Sequence, residues 1–158
     1  MSVQEGDPAP AFELPATGGR TVRLADMRGR PFILYFYQKA DTPGCTKEAC
    51  AFQEAMPDFQ GIGLEVIGVS PDKMKPIETF AAKYNLTFPL ASDEDHAVAE
   101  RYGTWVEKSM YGRTYMGMER TTFLIDGAGK IAKAWRKVSV TGHAADVLQA
   151  AKALRLVG

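Results

Sequence analysis

Residues 32–37, Phe-Ile-Leu-Tyr-Phe-Tyr, are six apolar or aromatic side chains in a row. A strand that alternates polar and apolar positions can keep one face in water. A strand with no polar position has to be covered on both faces. The run therefore reads as the central strand of a sheet with helices above and below it. The next residues are as restrictive. Asp41-Thr42-Pro43-Gly44 is a cluster of turn formers, and from Cys45 onward Lys, Glu and Ala favour a helix. The local order is strand, tight loop, helix, with Cys45 in the first helical turn. There the unpaired backbone N–H groups and the positive end of the helix dipole favour a negative sulfur. On spacing alone, a small core residue remains the commoner role for a cysteine.

The rest of the chain can be placed around that strand. Phe12–Leu14 and Thr21–Leu24 alternate as short strands, with Gly18-Gly19 between them as a hairpin turn. The helix after Cys45 is expected to extend to about Met56 and stop before Pro57 or soon after it. Leu64–Val69 is a second central strand. Ser70-Pro71-Asp72 opens a helix carrying Ile77, Phe80, Ala81 and Tyr84 at helical spacing. Phe88–Ala91 is a short strand, and Asp93 or Asp95 starts a helix that Gly103 closes. Residues 104–118 are a mixed aromatic and charged connection, a loop or a hairpin arm. Thr121–Ile125 and Lys130–Trp135 form a hairpin about Asp126–Gly129, and Gly142 precedes a last helix, Ala144–Leu154. The order β-α-β-α-β-α followed by a hairpin and a helix implies a mixed sheet with helices on both faces.

At 158 residues, with 46% apolar content, one domain over 1–158 is expected. Nineteen basic and nineteen acidic side chains cancel, which argues against a nucleic-acid or acidic-membrane surface. No run approaches the ~18 apolar residues of a membrane span. The start, MSVQEGDPAPAFEL, lacks the basic flank and apolar region of a signal peptide, so the cytoplasm is the expected location. Two cysteines are too few for a disulfide framework. With Cys45, Cys50, His96 and His143 the spacing is poor for zinc, and both histidines are read as solvated. Trp105 is a candidate for the substrate entrance, and Lys83 is read as an ordinary solvated charge.

The segment Asp-Thr-Pro-Gly-Cys-Thr-Lys-Glu-Ala-Cys, 41–50, resembles the active-site stretch of the Q-type peroxiredoxins, also called bacterioferritin comigratory proteins. Three further segments are similar to that family: Gly6–Phe12, Val66–Ser70, and Tyr102–Trp105 continuing to Arg120–Asp126. The resemblance runs from about residue 5 to the final helix. It implies an α/β thioredoxin-like fold with an N-terminal β-hairpin extension. It also implies a thiol-dependent peroxidase acting on hydrogen peroxide and organic hydroperoxides, without metal, flavin or haem. The family pattern Pro-x-x-x-Thr-x-x-Cys plus a distant Arg puts Thr42, Cys45 and Arg120 in the site. The Pro position holds Gln38, a departure that would leave Cys45 more exposed, more easily over-oxidised, or slower.

By the same resemblance Cys45 is the peroxidatic thiol, first oxidised to a sulfenic acid. Arg120 holds the thiolate and donates to peroxide oxygens. Thr42 orients the peroxide, and the backbone N–H groups of Gly44 and Cys45 polarise its O–O bond. Thr42 is also placed to cap the helix. Cys50 is the candidate resolving cysteine, and thioredoxin or a similar dithiol protein the reductant. Residues five apart in an α-helix have Cα atoms roughly 8–9 Å apart, whereas a disulfide wants less than about 7 Å. The Lys47-Glu48-Ala49 span is therefore expected to unwind before the bond forms. The rival readings are a general disulfide oxidoreductase, which usually carries Cys-x-x-Cys, and a non-enzymatic redox sensor. No extended dimerisation tail is visible, so a monomer is expected.

Overall fold

The structure, a computed structural model, describes residues 3–154. Its main sheet is built on β3, Phe32–Phe36, every residue of which is buried. Ile33, Tyr35 and Tyr37 face one core, while Phe32, Leu34 and Phe36 face the other. Period-two alternation thus feeds two separate hydrophobic layers from one strand.

β4, Glu65–Ser70, and β5, Leu90–Ser92, follow β3 in parallel on one side. β8, Thr121–Ile125, and β9, Ile131–Trp135, complete the other side as an antiparallel hairpin. The N-terminal hairpin of β1, Glu13–Ala16, and β2, Arg20–Arg23, joins at the β5 edge. The seven strands lie in the order β2-β1-β5-β4-β3-β8-β9. β6, Trp105–Met110, and β7, Arg113–Met118, pair only with each other as a projecting arm.

Helix α1, Pro43–Gly61, takes Pro57 into its interior and ends four residues after it, so of the two expected stops the one before Pro57 is corrected. An interior proline costs roughly 3 kcal/mol. Stopping there would bare Phe59, which is fully buried, at about 1.5–3 kcal/mol, and would unpair the last turn as well. The helix stops instead where the N–H groups of Gly63 and Leu64 turn back to Gln60 and Phe59, with Gly63 at φ 75°. α2, Met74–Lys83, and α4, His143–Leu154, share the α1 face of the sheet through Ile77, Phe80, Val147 and Ala151. α3, Ala97–Tyr102, covers the opposite face through Val98, Ala99 and Tyr102. Its first turn is held by the buried Asp93 carboxylate, which accepts from the N–H groups of Val98 and Ala99. No helix among the described residues is long and apolar enough to cross a membrane.

Candidate active site

Cys45 is the third residue of α1, in the first turn as the sequence implies, and only 1% of its surface is exposed. The replacement of proline by Gln38 therefore does not lay the sulfur open. Gln38 itself is exposed. Arg120 reaches Cys45 from a point 75 residues away: its Nη2 donates to Sγ at 3.4 Å. The sheet accounts for that approach. β8 pairs with β3 so that Thr121 lies opposite Phe36, at the end of β3 that leads to Cys45. Arg120 precedes Thr121, and its carbonyl accepts from the N–H of Val138, which fixes the backbone there. Gly44 leaves room for the guanidinium, since a Cβ at that position would lie 3.1 Å from Nη2.

Glu48 was not among the sequence candidates. It is one turn on from Cys45 along α1, and its side chain is 1% exposed. Its Oε1 accepts from Arg120 Nη1 at 2.7 Å. Burial pushes the Glu48 carboxyl up to about 7, although the Arg120 charge pulls the other way. Burial opposes the charge on Arg120, and the Glu48 carboxylate, the Cys45 sulfur and its hydrogen bonds to both outweigh it. One planar cation thus spans a thiol and a carboxyl with two different nitrogens, a fork that lysine cannot reproduce. The signal for Glu48 was its i+3 spacing from Cys45 on a shared helical face.

Thr42 occupies the N-cap position but makes no side-chain cap bond. Its hydroxyl donates instead to the Lys39 carbonyl at 2.7 Å. With that proton engaged, only the lone pairs of the hydroxyl remain for another partner. Cys50 is part-exposed on α1, and both thiols are free. Burial, with a smaller contribution from the Glu54 charge, raises the Cys50 thiol above its ordinary range. Helix α1 is continuous between the two cysteines.

Several side chains depart from their expected settings. His143 is buried rather than solvated, 2.8 Å from the Thr122 hydroxyl and edge-on to Phe52 and Trp135. Burial lowers it to about 4. His96 stacks face to face on Trp105 at 4.2 Å. Trp105 is thereby occupied at the root of the hairpin arm, and it is Val106 and Lys108 that line the cleft beside Arg120. That cleft, about 340 Å³, is bounded by Gln38, Val106, Lys108, Glu119, Lys137 and Val138. A larger cavity of about 600 Å³ opens at the opposite end of β3, against Phe12, Leu24, Met27 and Phe32, and none of the thiol's partners line it. Lys83 is paired with Asp41 at 2.9 Å.

The family model that matches the chain is described as the AhpC/TSA family and covers residues 5–134. A putative peroxiredoxin bcp from Coxiella burnetii is 49% identical over 148 residues, 94% of this chain and 98% of that protein. The crystal structure of a Cys-to-Ser mutant of Xylella fastidiosa PrxQ superposes with a TM-score of 0.92 at 37% identity, covering 98% of both chains. A Xanthomonas campestris bacterioferritin comigratory protein, solved to examine its alkyl peroxide reduction activity, gives a TM-score of 0.88 at 41% identity, covering 91% of this chain and 92% of that one.

Proposed function

Because the chain belongs to the AhpC/TSA family, and within it to the Bcp or Q-type peroxiredoxins, we propose that its thiol peroxidase chemistry runs through Cys45, Arg120, Thr42 and Cys50. The observation that carries this reading is the Arg120 guanidinium hydrogen-bonded to the Cys45 sulfur and the Glu48 carboxyl together. The Cys45 thiolate attacks the terminal peroxide oxygen. The S–O bond forms as the O–O bond breaks, leaving a sulfenic acid and an alkoxide or hydroxide that is protonated to alcohol or water. Arg120 balances charge on the sulfur at the start and on the departing oxygen at the end, in a pocket that excludes bulk water. The Thr42 hydroxyl, its own proton given to Lys39, accepts the peroxide O–H and so aims the molecule. The N–H groups at Gly44 and Cys45 lie at the helix start, where negative charge is favoured.

Cys50 then attacks the sulfenic sulfur, water leaves, and a Cys45–Cys50 disulfide forms. Helix geometry forbids that bond while α1 is intact, so the span from Cys45 to Cys50 unwinds first. Thioredoxin or a similar dithiol reduces the disulfide. The cleft beside Arg120, with Val106 and Val138 in its wall, supports organic hydroperoxides as substrates beside hydrogen peroxide. A monomer is the proposed working unit, and the cytoplasm its proposed compartment.

The test is peroxide loss coupled to thioredoxin and NADPH, with mass spectrometry after one equivalent of peroxide. Sustained turnover is expected, whereas a single stoichiometric oxidation would indicate a sensor. Cys45→Ser should abolish turnover. Cys50→Ser should still gain one oxygen on Cys45 but lose thioredoxin-linked turnover. A Cys45→Ser protein that still turns over would remove the assignment.

A further inference from the structure

The start of α1 has a proline at its first position but neither a side-chain cap nor an acidic first turn. Yet this turn carries Cys45 and, if Cys50 resolves the sulfenic acid, opens in every catalytic cycle. Its restraint comes from outside the helix. Two residues before α1, Asp41 sits at φ 59°, in the left-handed region that aspartate enters more readily than most non-glycine residues. Its Oδ2 accepts from Lys83 Nζ at 2.9 Å and its Oδ1 from the Tyr84 hydroxyl at 2.7 Å. Both donors lie at the C-terminal end of α2. The preceding residue is tied as well: the Ala40 N–H donates at 2.7 Å to the Asp72 carboxylate, which also accepts from the Ser70 hydroxyl.

We propose that Asp41, held by Lys83 and Tyr84, is the latch that keeps the first turn of α1 closed and sets how often it opens for Cys50. Asp41, Lys83 and Tyr84 are positioning residues; none of them touches the sulfur. The latch contacts are exposed, with 40% of the Asp41 side chain and 55% of the Lys83 side chain accessible. Such pairs are weak in water, which suits a contact that must release and re-form at each turnover. A second tight, buried fastening beside the Arg120–Glu48 pair would hold Cys45 as sulfenic acid for longer and leave it to a second peroxide. Releasing the latch should favour disulfide over sulfinic acid.

The proposal rests on resolution by Cys50, and its first measurement is independent of that step. Hydrogen exchange of amides 44–50 in the reduced protein requires neither peroxide nor Cys50. Asp41→Ala and Tyr84→Phe should speed that exchange by roughly threefold to tenfold, the range open to one or two lost solvent-exposed hydrogen bonds. Exchange in β3 and β4 should stay unchanged, which a general loss of stability would not allow. Tyr84→Phe removes one oxygen and no volume, so it keeps the test valid should Asp41→Ala fold poorly. Asp41→Gly separates the two components of the turn: glycine is at ease at positive φ, so faster exchange there assigns the latch to the carboxylate contacts. Slower exchange than wild type in Asp41→Gly would assign control to backbone strain and overturn the proposal. So would exchange at 44–50 unchanged in both Asp41→Ala and Tyr84→Phe. After one equivalent of peroxide the same variants should form the disulfide faster, and in excess peroxide they should yield less sulfinic acid. If Cys50→Ser kept full thioredoxin-linked turnover, the resolving role would fall while the exchange data still decided the latch.

Discussion

At the scale of single residues, the site depends on one guanidinium serving two partners. Arg120→Lys keeps the charge but cannot donate from two fixed nitrogens to Cys45 and Glu48 at once. The second-order rate of Cys45 oxidation, followed by quenching and mass spectrometry, should fall by about a hundredfold or more, the range seen when one preorganised donor is lost. Two of the perturbed buried groups in this region, Glu48 and His143, act in opposite senses on stability. Glu48 has its folded value raised from 4.5 to about 7. The fold therefore holds that proton more tightly than the unfolded chain does, and stability from this group is lost as pH rises from 4.5 toward 7. His143 has its folded value lowered from 6.5 to about 4. Its contribution is full above 6.5 and is lost as pH falls toward 4. Between pH 4.5 and 6.5 the two slopes oppose each other. Relative to wild type, Glu48→Gln should gain stability with rising pH across that window, and His143→Gln should lose it. Each change should be on the order of 1–2 kcal/mol, read from denaturant midpoints at constant slope.

At the scale of elements, β3 is a strand whose sequence admits no polar face, and β4 and β8 beside it are mostly apolar. β3, β4 and β8 are legible for that reason, and so is the turn that puts Cys45 at a helix start. Gly68 shows how closely the central strands pack. A Cβ there would lie 2.7 Å from Leu90 Cδ2 and 2.9 Å from Tyr35 Cζ, both on fully buried side chains. Gly68→Ala should cost about 1–3 kcal/mol by overpacking, measurable by chemical denaturation. The end of α1 was not legible, because a proline's local cost is visible in sequence and the burial of Phe59 that offsets it is not. The hairpin β6–β7 stayed ambiguous, because its residues are mostly exposed or half-buried and leave no alternation to read. The placement of Arg120 is likewise a product of strand pairing: only the β3–β8 register brings it to Cys45. Glu48 could have been picked out from its spacing to Cys45. That it is buried and paired could not, since this depends on where Arg120 arrives.

At the scale of the whole molecule, the sheet has a firm centre and a loosely fastened working end. Tyr35, Leu34, Ile67, Val69, Phe123 and Leu124 are almost wholly buried in the middle strands. The arm β6–β7 exposes Met110, Tyr111, Tyr115 and Met116 and joins no other strand. Native-state hydrogen exchange should follow that division. Amides of β3, β4 and β8 should open only with global unfolding, residues 44–50 by a smaller local event, and the arm faster than either. Equal protection of residues 44–50 and β3 would mean that α1 opens only when the molecule unfolds. Resolution by Cys50 would then be too slow to sustain turnover.

The two indoles occupy separate surroundings. Trp135 stands edge-on to His143, whose ring in turn meets Phe52 in α1, while Trp105 is stacked on His96 beneath the arm. A chain with Trp105 replaced by Phe thus keeps Trp135 as its single indole, against the seam of α1 and α4. Its emission would follow that seam in real time, without an attached dye, as the thiol cycles between its oxidation states.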